Sequence, residues 1–394
     1  MNHAHLYSPL SFWEHQSFLK YDYVIVGSGI VGLSTAAHIK EINKKATVLV
    51  LERGIFPTGA STKNAGFACI GSPSEVLSDI KLMGEEKAFQ LIQKRINGLA
   101  LLKKRLGNDI FSKANAGGSE LLSDKEMYVL DNISNLNKTA KNHLKNNKKA
   151  LFKHIKPALG YVSKMGFSNH FKEIVAIPQE NSINTGKMMQ KLLLHVQKLG
   201  VVVLNNTEVE EIKDLNFKVH LKIKNNSQNL SNPQNIVFEG SKVAICTNAF
   251  APEMFSNLNI NAGRGQVLIT KPIKNMLFRG NFHFDEGYYY FRDVDGERVL
   301  FGGGRNLDFE GENTTTFATT DKIINDLVEK LSTIILPNQT FEIEQTWAGI
   351  MAFNAEKTPI VRLHTPNIAL GVCLNGMGVA IGSIIGQETA NLLL

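Results

Sequence analysis

The sequence predicts an α/β protein built on a doubly wound parallel sheet, and three observations predict it. Residues 23–26, Tyr-Val-Ile-Val, form a short aromatic and β-branched run suited to a strand buried on both faces. Gly27, Gly29 and Gly32 follow at once in G-x-G-x-x-G spacing, and Ala36, Ala37 and Ile39 continue as a helix. Residues 47–51 make a second apolar strand, closed by Glu52 about twenty residues beyond Gly32. A glycine turn alone is common. Strand, turn, helix, strand and acid in this order describe a Rossmann-type dinucleotide-binding unit.

Each residue type has a physical job in that unit. Gly27 permits the tight turn, Gly29 lets a pyrophosphate approach the backbone, and Gly32 lets helix and strand pack closely. Ile30 and Val31 open the helix, whose first N–H groups and positive dipole end face the phosphates. Glu52 is placed to accept hydrogen bonds from an adenosine ribose.

Composition bounds the rest. The 394 residues suffice for two domains and a sizeable core, and 43% hydrophobic against 20% charged residues marks a globular chain, not a disordered one. The net charge of +7 is diffuse apart from the lysine-rich residues 138–156. That run reads as a solvated helix or loop in preference to a nucleic-acid patch. Cys69, Cys246 and Cys373 are far apart and form no C-x-x-C pair. This argues against a disulfide framework or zinc site and suits a reducing compartment. The N-terminus has no signal-peptide core and no apolar run is long enough to span a bilayer, so a cytoplasmic location is expected. His3 and His5 are assigned to a loose terminus, and no metal site is expected.

Beyond Glu52 and Arg53 comes Pro57-Thr58-Gly59-Ala60-Ser61-Thr62-Lys63-Asn64-Ala65-Gly66-Phe67, a small, polar, glycine-containing stretch that can lie against a ligand. In an open α/β sheet ligands sit past the carboxyl ends of the strands, where this loop begins. The pairing of Gly27-Ser28-Gly29-Ile30-Val31-Gly32 with Leu51-Glu52-Arg53-Gly54 and with the Gly59 to Gly66 loop resembles the D-amino acid oxidase superfamily, whose members include glycine oxidase and sarcosine oxidase. The resemblance runs from about Tyr21 to the C-terminus. It implies FAD, where the glycine motif alone leaves NAD open. It also implies that Ala60, Ser61, Thr62, Asn64, Ala65 and Gly66 pass along the flavin ring.

Residues 75–104 carry a helical stripe of Leu82, Phe89, Leu91, Ile92, Ile96, Leu99 and Leu102, and Gly107 ends it. Residues 117–122 turn to strand and loop. An amphipathic helix over 187–199 follows Asn184-Thr185-Gly186 and stops at Gly200. Residues 201–204 and the run from Thr207 are strands, and 219–224 with 236–239 form a meander around an Asn-rich turn. Residues 242–246 make a buried strand ended by Thr247-Asn248-Ala249. Residues 267–270, 288–292 and 298–301 are strands, the last two joined by an Asp293-Val294-Asp295-Gly296 hairpin turn, with Gly302-Gly303-Gly304-Arg305 beyond. Residues 321–335 are helical. After Trp347-Ala348-Gly349-Ile350-Met351 and Thr358-Pro359-Ile360-Val361 a strand reaches Cys373. Asn375-Gly376-Met377-Gly378 then opens a final helix whose N-terminus can stabilise negative charge. By the resemblance, Val209, Thr247, Asn248 and Ala249 contact the cofactor, and residues 375–378 sit at the flavin's pyrimidine oxygen. The resemblance implies the full fold class as well. A Rossmann-type FAD/NAD(P)-binding domain is expected in segments 20–115, 182–262 and 346–394, with an inserted, mostly antiparallel α+β substrate domain in 116–181 and 263–345.

The implied activity is oxidation of the C–N bond of a small amine or amino acid by hydride transfer to flavin N5, without an essential general base. FAD is expected to be non-covalent, since no cysteine lies in residues 347–353. Three other readings stand beside it: an FAD-dependent 2-hydroxy acid dehydrogenase, a tRNA-modification oxidoreductase removing a carboxymethyl group from a modified uridine, and a non-catalytic flavin-binding protein. The electron acceptor is oxygen or an unassigned oxidant. Residues 299–302 lack the lysine that sarcosine oxidases carry near the flavin, which points to slow reoxidation by oxygen. Amino-acid oxidases often place an arginine where this chain has Met351, and glycine oxidase places one where it has Leu374. A substrate carboxylate therefore needs another partner. Arg305 is the first candidate, because its fork can grip a carboxylate bidentately. The competing reading is a surface arginine paired with Asp308 or Glu310. Tyr289 occupies the family's tyrosine place and could add a hydroxyl donor, with Tyr288 or Tyr290 pointing inward if the register is shifted.

Overall fold

The structure, a computed structural model, describes residues 10–112, 117–145, 149–224 and 236–394. His3, His5 and the Asn-rich turn at 225–235 lie outside the described residues, as do positions 146–148 of the lysine-rich run. The described lysines of that run, from Lys138 to Lys156, are exposed.

Two eight-stranded sheets dominate the described residues. In the first, Lys20–Val26 is central and pairs in parallel with Val48–Leu51 on one side and Val237–Ile245 on the other. Val202–Leu204 continues the parallel order beyond Val48–Leu51, and Ile368–Val372 continues it beyond Val237–Ile245. Ile360–Thr365 closes one edge antiparallel, and the hairpin Val209–Asp214 with Val219–Ile223 joins the N-terminal half of Val237–Ile245. Strand periodicity sorts the core into layers. Val48 and Val50 face the helical layer of Ile30–Ile42, Thr185–Lys198 and Gly378–Asn391, whereas Leu49 and Leu51 face the opposite side with Val209 and Leu221. Gly32 is where helix and strand close together: a Cβ there would lie 1.9 Å from the Gly27 carbonyl oxygen.

The second sheet runs in the order Ile343–Phe353, Asn261–Thr270, Arg298–Gly303, Tyr289–Val294, Asn281–Phe284, Gly118–Leu122, Glu173–Ile177 and Lys153–Ile155. All neighbours are antiparallel except Asn281–Phe284 with Gly118–Leu122. One face is packed with Phe282, Phe284, Tyr289, Phe291 and Phe301, which meet Phe167, Phe171 and the helix Asp321–Lys330. The other face looks toward the carboxyl ends of the first sheet's strands.

Several elements differ from expectation for local reasons. The helix expected over 75–104 is two helices, Pro73–Met83 and Glu85–Leu106, broken at Gly84 with φ of 84°. Leu82 is 52% exposed and leaves the apolar stripe. Within the expected loop of residues 57–67, Ala60–Lys63 is a turn of helix and Phe67–Ala68 a short strand against Asn181–Ser182. The two runs 236–239 and 242–246 merge into Val237–Ile245, because residues 237–240 pair with Val219–Ile223 and residues 239–245 with Lys20–Val26, and the two ladders overlap. The approach to Cys373 is two strands, Ile360–Thr365 and Ile368–Val372. The hairpin after Tyr289–Val294 turns at Asp295 and Gly296, both with positive φ, so its turn is tighter and later than residues 293–296 suggested.

Candidate functional site

A cavity of about 700 Å³ lies between the two sheets. Its first wall is the glycine turn. Gly27 holds a φ of 102°, and the helix Ile30–Ile42 begins at Gly29 with no side-chain cap. A Cβ on Gly29 would sit 2.9 Å from Ser61 Oγ, the hydroxyl that accepts from Ile30 N at 3.0 Å. Glu52 is buried at the strand end. Its Oε2 accepts from Ser28 N at 3.0 Å and Ser28 Oγ at 2.7 Å, and its Oε1 from Gly54 N at 2.9 Å. A carboxylate has about four acceptor positions, so the fixed group retains capacity for a ribose hydroxyl. Arg53 lies 3.8 Å over the Phe250 ring.

The loop from Gly59 crosses the cavity and is held by its own side chains. Asn64 donates to the carbonyls of Ala60 at 3.2 Å and Ser61 at 2.8 Å, and accepts from Gly66 N and Thr185 Oγ1. From the second sheet, Arg292 donates to the carbonyls of Ala65 at 2.7 Å and Ile183 at 3.2 Å. Burial pulls the Arg292 pKa down to about 10, so it remains charged at neutral pH. At the far end, Val209, Thr207 and Asn248 line the wall, and the buried Thr247 hydroxyl has no partner among the described residues. Asn248, at φ of 51°, accepts from Cys373 N at 3.0 Å. Opposite, Asn375 and Gly376 take positive φ, and the helix Gly378–Asn391 starts without a side-chain cap. Two helix N-termini thus face one cavity, neither capped by its own N-cap side chain, with Ile30 N turned to Ser61.

Not every expected residue reaches the wall. Gly27, Gly29, Ile30, Val31, Glu52, Arg53, Ala60, Ser61, Asn64, Ala65, Val209, Thr247, Asn248, Asn375, Gly376, Met377 and Gly378 do. Gly32, Thr62, Gly66 and Ala249 do not line it. Gly32 is consumed by helix packing, and Thr62 turns its hydroxyl to the Pro57 carbonyl at 2.7 Å. A Cβ on Gly66 would lie 2.3 Å from the Ile183 oxygen, and Ala249 is in the core.

At the other end Arg305, Met351, Tyr288 and Tyr290 line the cavity. Tyr289 does not. It is fully buried in the aromatic cluster, with its hydroxyl donating to Asp326 at 2.8 Å. Strand alternation places Tyr290 on the cavity face, where burial pushes its hydroxyl up to about 12. Arg305 follows Gly304, which is left-handed, and lies 4.5 Å over the Phe353 ring. It donates to Asn313 Oδ1 at 2.7 Å, and its buried Nε has no partner among the described residues. It forms no ion pair with Asp308 or Glu310; Asp308 pairs instead with Lys322 at 3.5 Å. Burial lowers the Arg305 pKa, with Glu312 opposing.

His283 and Glu75 also line this end, and sequence reasoning named neither as a site residue. His283 Nε2 lies 3.0 Å from Glu180 Oε2, and Glu180 Oε1 accepts from Ile70 N at 3.1 Å. Burial pulls the His283 pKa down, but the Glu180 charge and hydrogen bond outweigh it and leave it at about 9. The signal available was the alternation Phe282-His283-Phe284, which puts the histidine on the face opposite the aromatic core.

The chain matches the family described as "DAO: FAD dependent oxidoreductase" over residues 22–392. It is 22% identical to the probable oxidoreductase OrdL of Haemophilus influenzae, over 98% of this chain and 85% of that protein. Among solved structures, glycine oxidase from Geobacillus kaustophilus superposes with a TM-score of 0.74 at 16% identity, covering 95% of this chain and 94% of the other. L-proline dehydrogenase from P. horikoshii gives 0.73 at 17%, covering 95% and 93%. L-amino acid deaminase from Proteus myxofaciens gives 0.74 at 15%, covering 95% and 90%. At such identities these structures share the fold. The residues present fit FAD: the phosphate turn at Gly29, the fixed Glu52 carboxylate and the unpartnered Thr247 hydroxyl suit a dinucleotide with an adenosine ribose. The family match over nearly the whole chain, with a cavity built for that cofactor, identifies this protein as a member of the DAO family of FAD-dependent oxidoreductases.

Proposed function

We propose that the chain oxidises the C–N bond of a small amino acid or amine, with non-covalent FAD. The observation that carries this reading is Arg305, a half-buried guanidinium with a buried Nε and no anionic partner among the described residues, on the cavity that also holds the cofactor cradle. A buried cation is costly unless paired, and a substrate carboxylate supplies the missing charge. The neighbouring glycine oxidase, proline dehydrogenase and L-amino acid deaminase are named for amino-acid substrates, which favours the same class.

When bound, FAD would supply the two-electron sink for this oxidation. The residues supply position and a dry environment. Arg305 grips the carboxylate, and the Tyr290 hydroxyl faces the cavity as a further donor. Met351, Phe353 and Val267 exclude water around the reacting carbon. The amine reacts in its neutral form: the hydrogen on its carbon departs with the electron pair of the C–H bond, the nitrogen lone pair closes a C=N bond, and the N–H proton passes to solvent to leave the imine. Water then hydrolyses the imine to the carbonyl product and ammonia or the released amine. His283 is protonated at neutral pH and cannot act as the base. Non-covalent binding is supported by the thiols on the wall, since burial pushes Cys246 up to about 12 and Cys69 well up too, leaving neither as a ready nucleophile. Three free, buried cysteines suit a reducing cytoplasm. We read the chain as a cofactor domain over 20–115, 182–262 and 346–394 and a substrate domain over 116–181 and 263–345. In support, each sheet draws its strands from one of these sets, with Asn261–Thr270 and Ile343–Phe353 running across the joints.

The test is anaerobic bleaching of the flavin by amino acids, simple amines and matched 2-hydroxy acids. Reduction by amines or amino acids supports the proposal. Reduction by 2-hydroxy acids alone overturns it in favour of a C–O dehydrogenase.

A further inference from the structure

The wall that carries Arg305 also carries a charge of opposite sign that the reaction does not use. Glu75 closes the capping box of the helix Pro73–Met83, its Oε2 accepting from Ser72 N at 2.8 Å. Its other oxygen, Oε1, has no donor among the described residues, and the carboxylate is in no ion pair there. Nearby acids are already compensated. Glu180 is paired with His283, and Asp79 lies 3.6 Å from Arg95 and 3.1 Å from Lys357. Glu120 is off the wall, held by Ser72 and Ser74. Gly287 stands over Glu75 at φ of 81°, where a Cβ would sit 2.9 Å from the carboxylate carbon. Tyr288 comes next, its carbonyl accepting from Gly304 N at 3.1 Å, and Arg305 adjoins it. His283 is the nearest cation and feels the Glu75 charge, but its imidazolium is already paired with Glu180, so one cation stands against two carboxylates here, and across Tyr288 stands a guanidinium with no ion pair among the described residues.

A partly buried carboxylate has lost water and is stabilised by a cation that replaces it. The reacting amine does not suit that role. It must be neutral to release hydride, and an adjacent carboxylate favours its ammonium form. A second cationic group, remote from the reacting carbon, meets Glu75 without that conflict.

We infer that Glu75 is a specificity residue and that the substrate carries a second, non-reacting ammonium or guanidinium besides the group held by Arg305, as a diamino acid does. This rests on the amino-acid or amine reading above. The experiment separates the two by measuring binding without oxidation. Calorimetry on the FAD-loaded protein compares 4-aminobutanoate, 5-aminopentanoate and 6-aminohexanoate with butanoate, pentanoate and hexanoate. Each pair shares a carboxylate and differs in a terminal ammonium. The expected result is one chain length at which the amino compound binds about tenfold or more tighter. Glu75→Gln, which keeps the capping box because glutamine serves there equally, shrinks that ratio to about twofold or less. A ratio near one in the wild type, or an undiminished ratio in Glu75→Gln with normal thermal stability, overturns the inference whatever the enzyme oxidises. The parent reading is scored apart from this, by flavin bleaching with lysine, norleucine and 2-hydroxyhexanoate in both enantiomers.

Discussion

Replacing Arg305 with methionine tests the substrate anchor most directly. Methionine keeps an unbranched apolar stem against Phe353 and Phe309, whose rings lie 4.5 and 5.2 Å from the guanidinium carbon, but removes the charge. The protein loses the 2.7 Å hydrogen bond to Asn313 and the cation–π component of the two ring contacts, each a small term at a half-buried site. The buried Nε satisfies no partner, so its removal relieves a desolvated donor. Folding stability should therefore change little. Substrate binding should change much more, because a carboxylate brought to this wall would lose a charge-assisted, two-pronged partner in a site of low effective dielectric. Losing one member of such a pair costs about 2–5 kcal/mol, or roughly thirtyfold to a few thousandfold in Kd. The assay is anaerobic flavin reduction across substrate concentrations, with FAD content as the control. Arg305→Lys should recover part of the loss, since a point charge replaces the fork. Unchanged affinity in Arg305→Met, with FAD retained, would refute Arg305 as the anchor.

Three further outcomes follow from the geometry. Gly29→Val should purify folded but colourless: Gly29 has φ of −70°, which any residue adopts, so the harm is a side chain between Ser61 and the phosphates, and stoichiometric FAD in the variant would contradict this. Tyr289→Phe should cost about 1–2 kcal/mol in denaturant unfolding through the lost bond to Asp326 and leave substrate affinity alone, whereas Tyr290→Phe should alter affinity and not stability; the reverse pattern would mean that the strand register is misassigned. The His283–Glu180 pair should make stability pH-dependent. The folded pKa of about 9 lies above the ordinary 6.5, so the contribution is fully present below about pH 6.5 and is lost as pH rises through 9. It amounts to something on the order of 3 kcal/mol. Unfolding of wild type and Glu180→Gln at pH 6 and 9.5 checks this, and an identical pH slope in both would reject it.

The first sheet was legible because its signals are local. The run into Gly27, the acid at Glu52 and the apolar residues 47–51 each lie within a few turns of chain, and they pair as expected with Lys20–Val26 at the centre. Errors there concern boundaries, where tertiary pairing extends or merges runs, as in Val237–Ile245. Helix breaks were harder. Gly84 interrupts a periodic stripe that continues on both sides, and periodicity alone cannot see a positive φ.

The substrate end was less legible, and the reason is contact order. Arg292 reaches Ala65, His283 reaches Glu180, Glu75 meets Gly287, and each pair lies roughly a hundred or more residues apart. None of these residues forms a spaced motif with its partner, so composition and spacing carry no trace of the encounter. What the chain does encode locally is alternation, and here it decides the chemistry. In Tyr288-Tyr289-Tyr290 three identical side chains look interchangeable, yet the strand sends Tyr289 into the phenylalanine cluster and Tyr290 to the cavity. The apolar partners in Asn281–Phe284 and Arg298–Gly303 settle which is which: Phe282, Phe284 and Phe301 share one face, so the middle tyrosine must join them. Register read from the neighbouring phenylalanines, and not from a family's tyrosine position, therefore points to the hydroxyl that can meet a substrate.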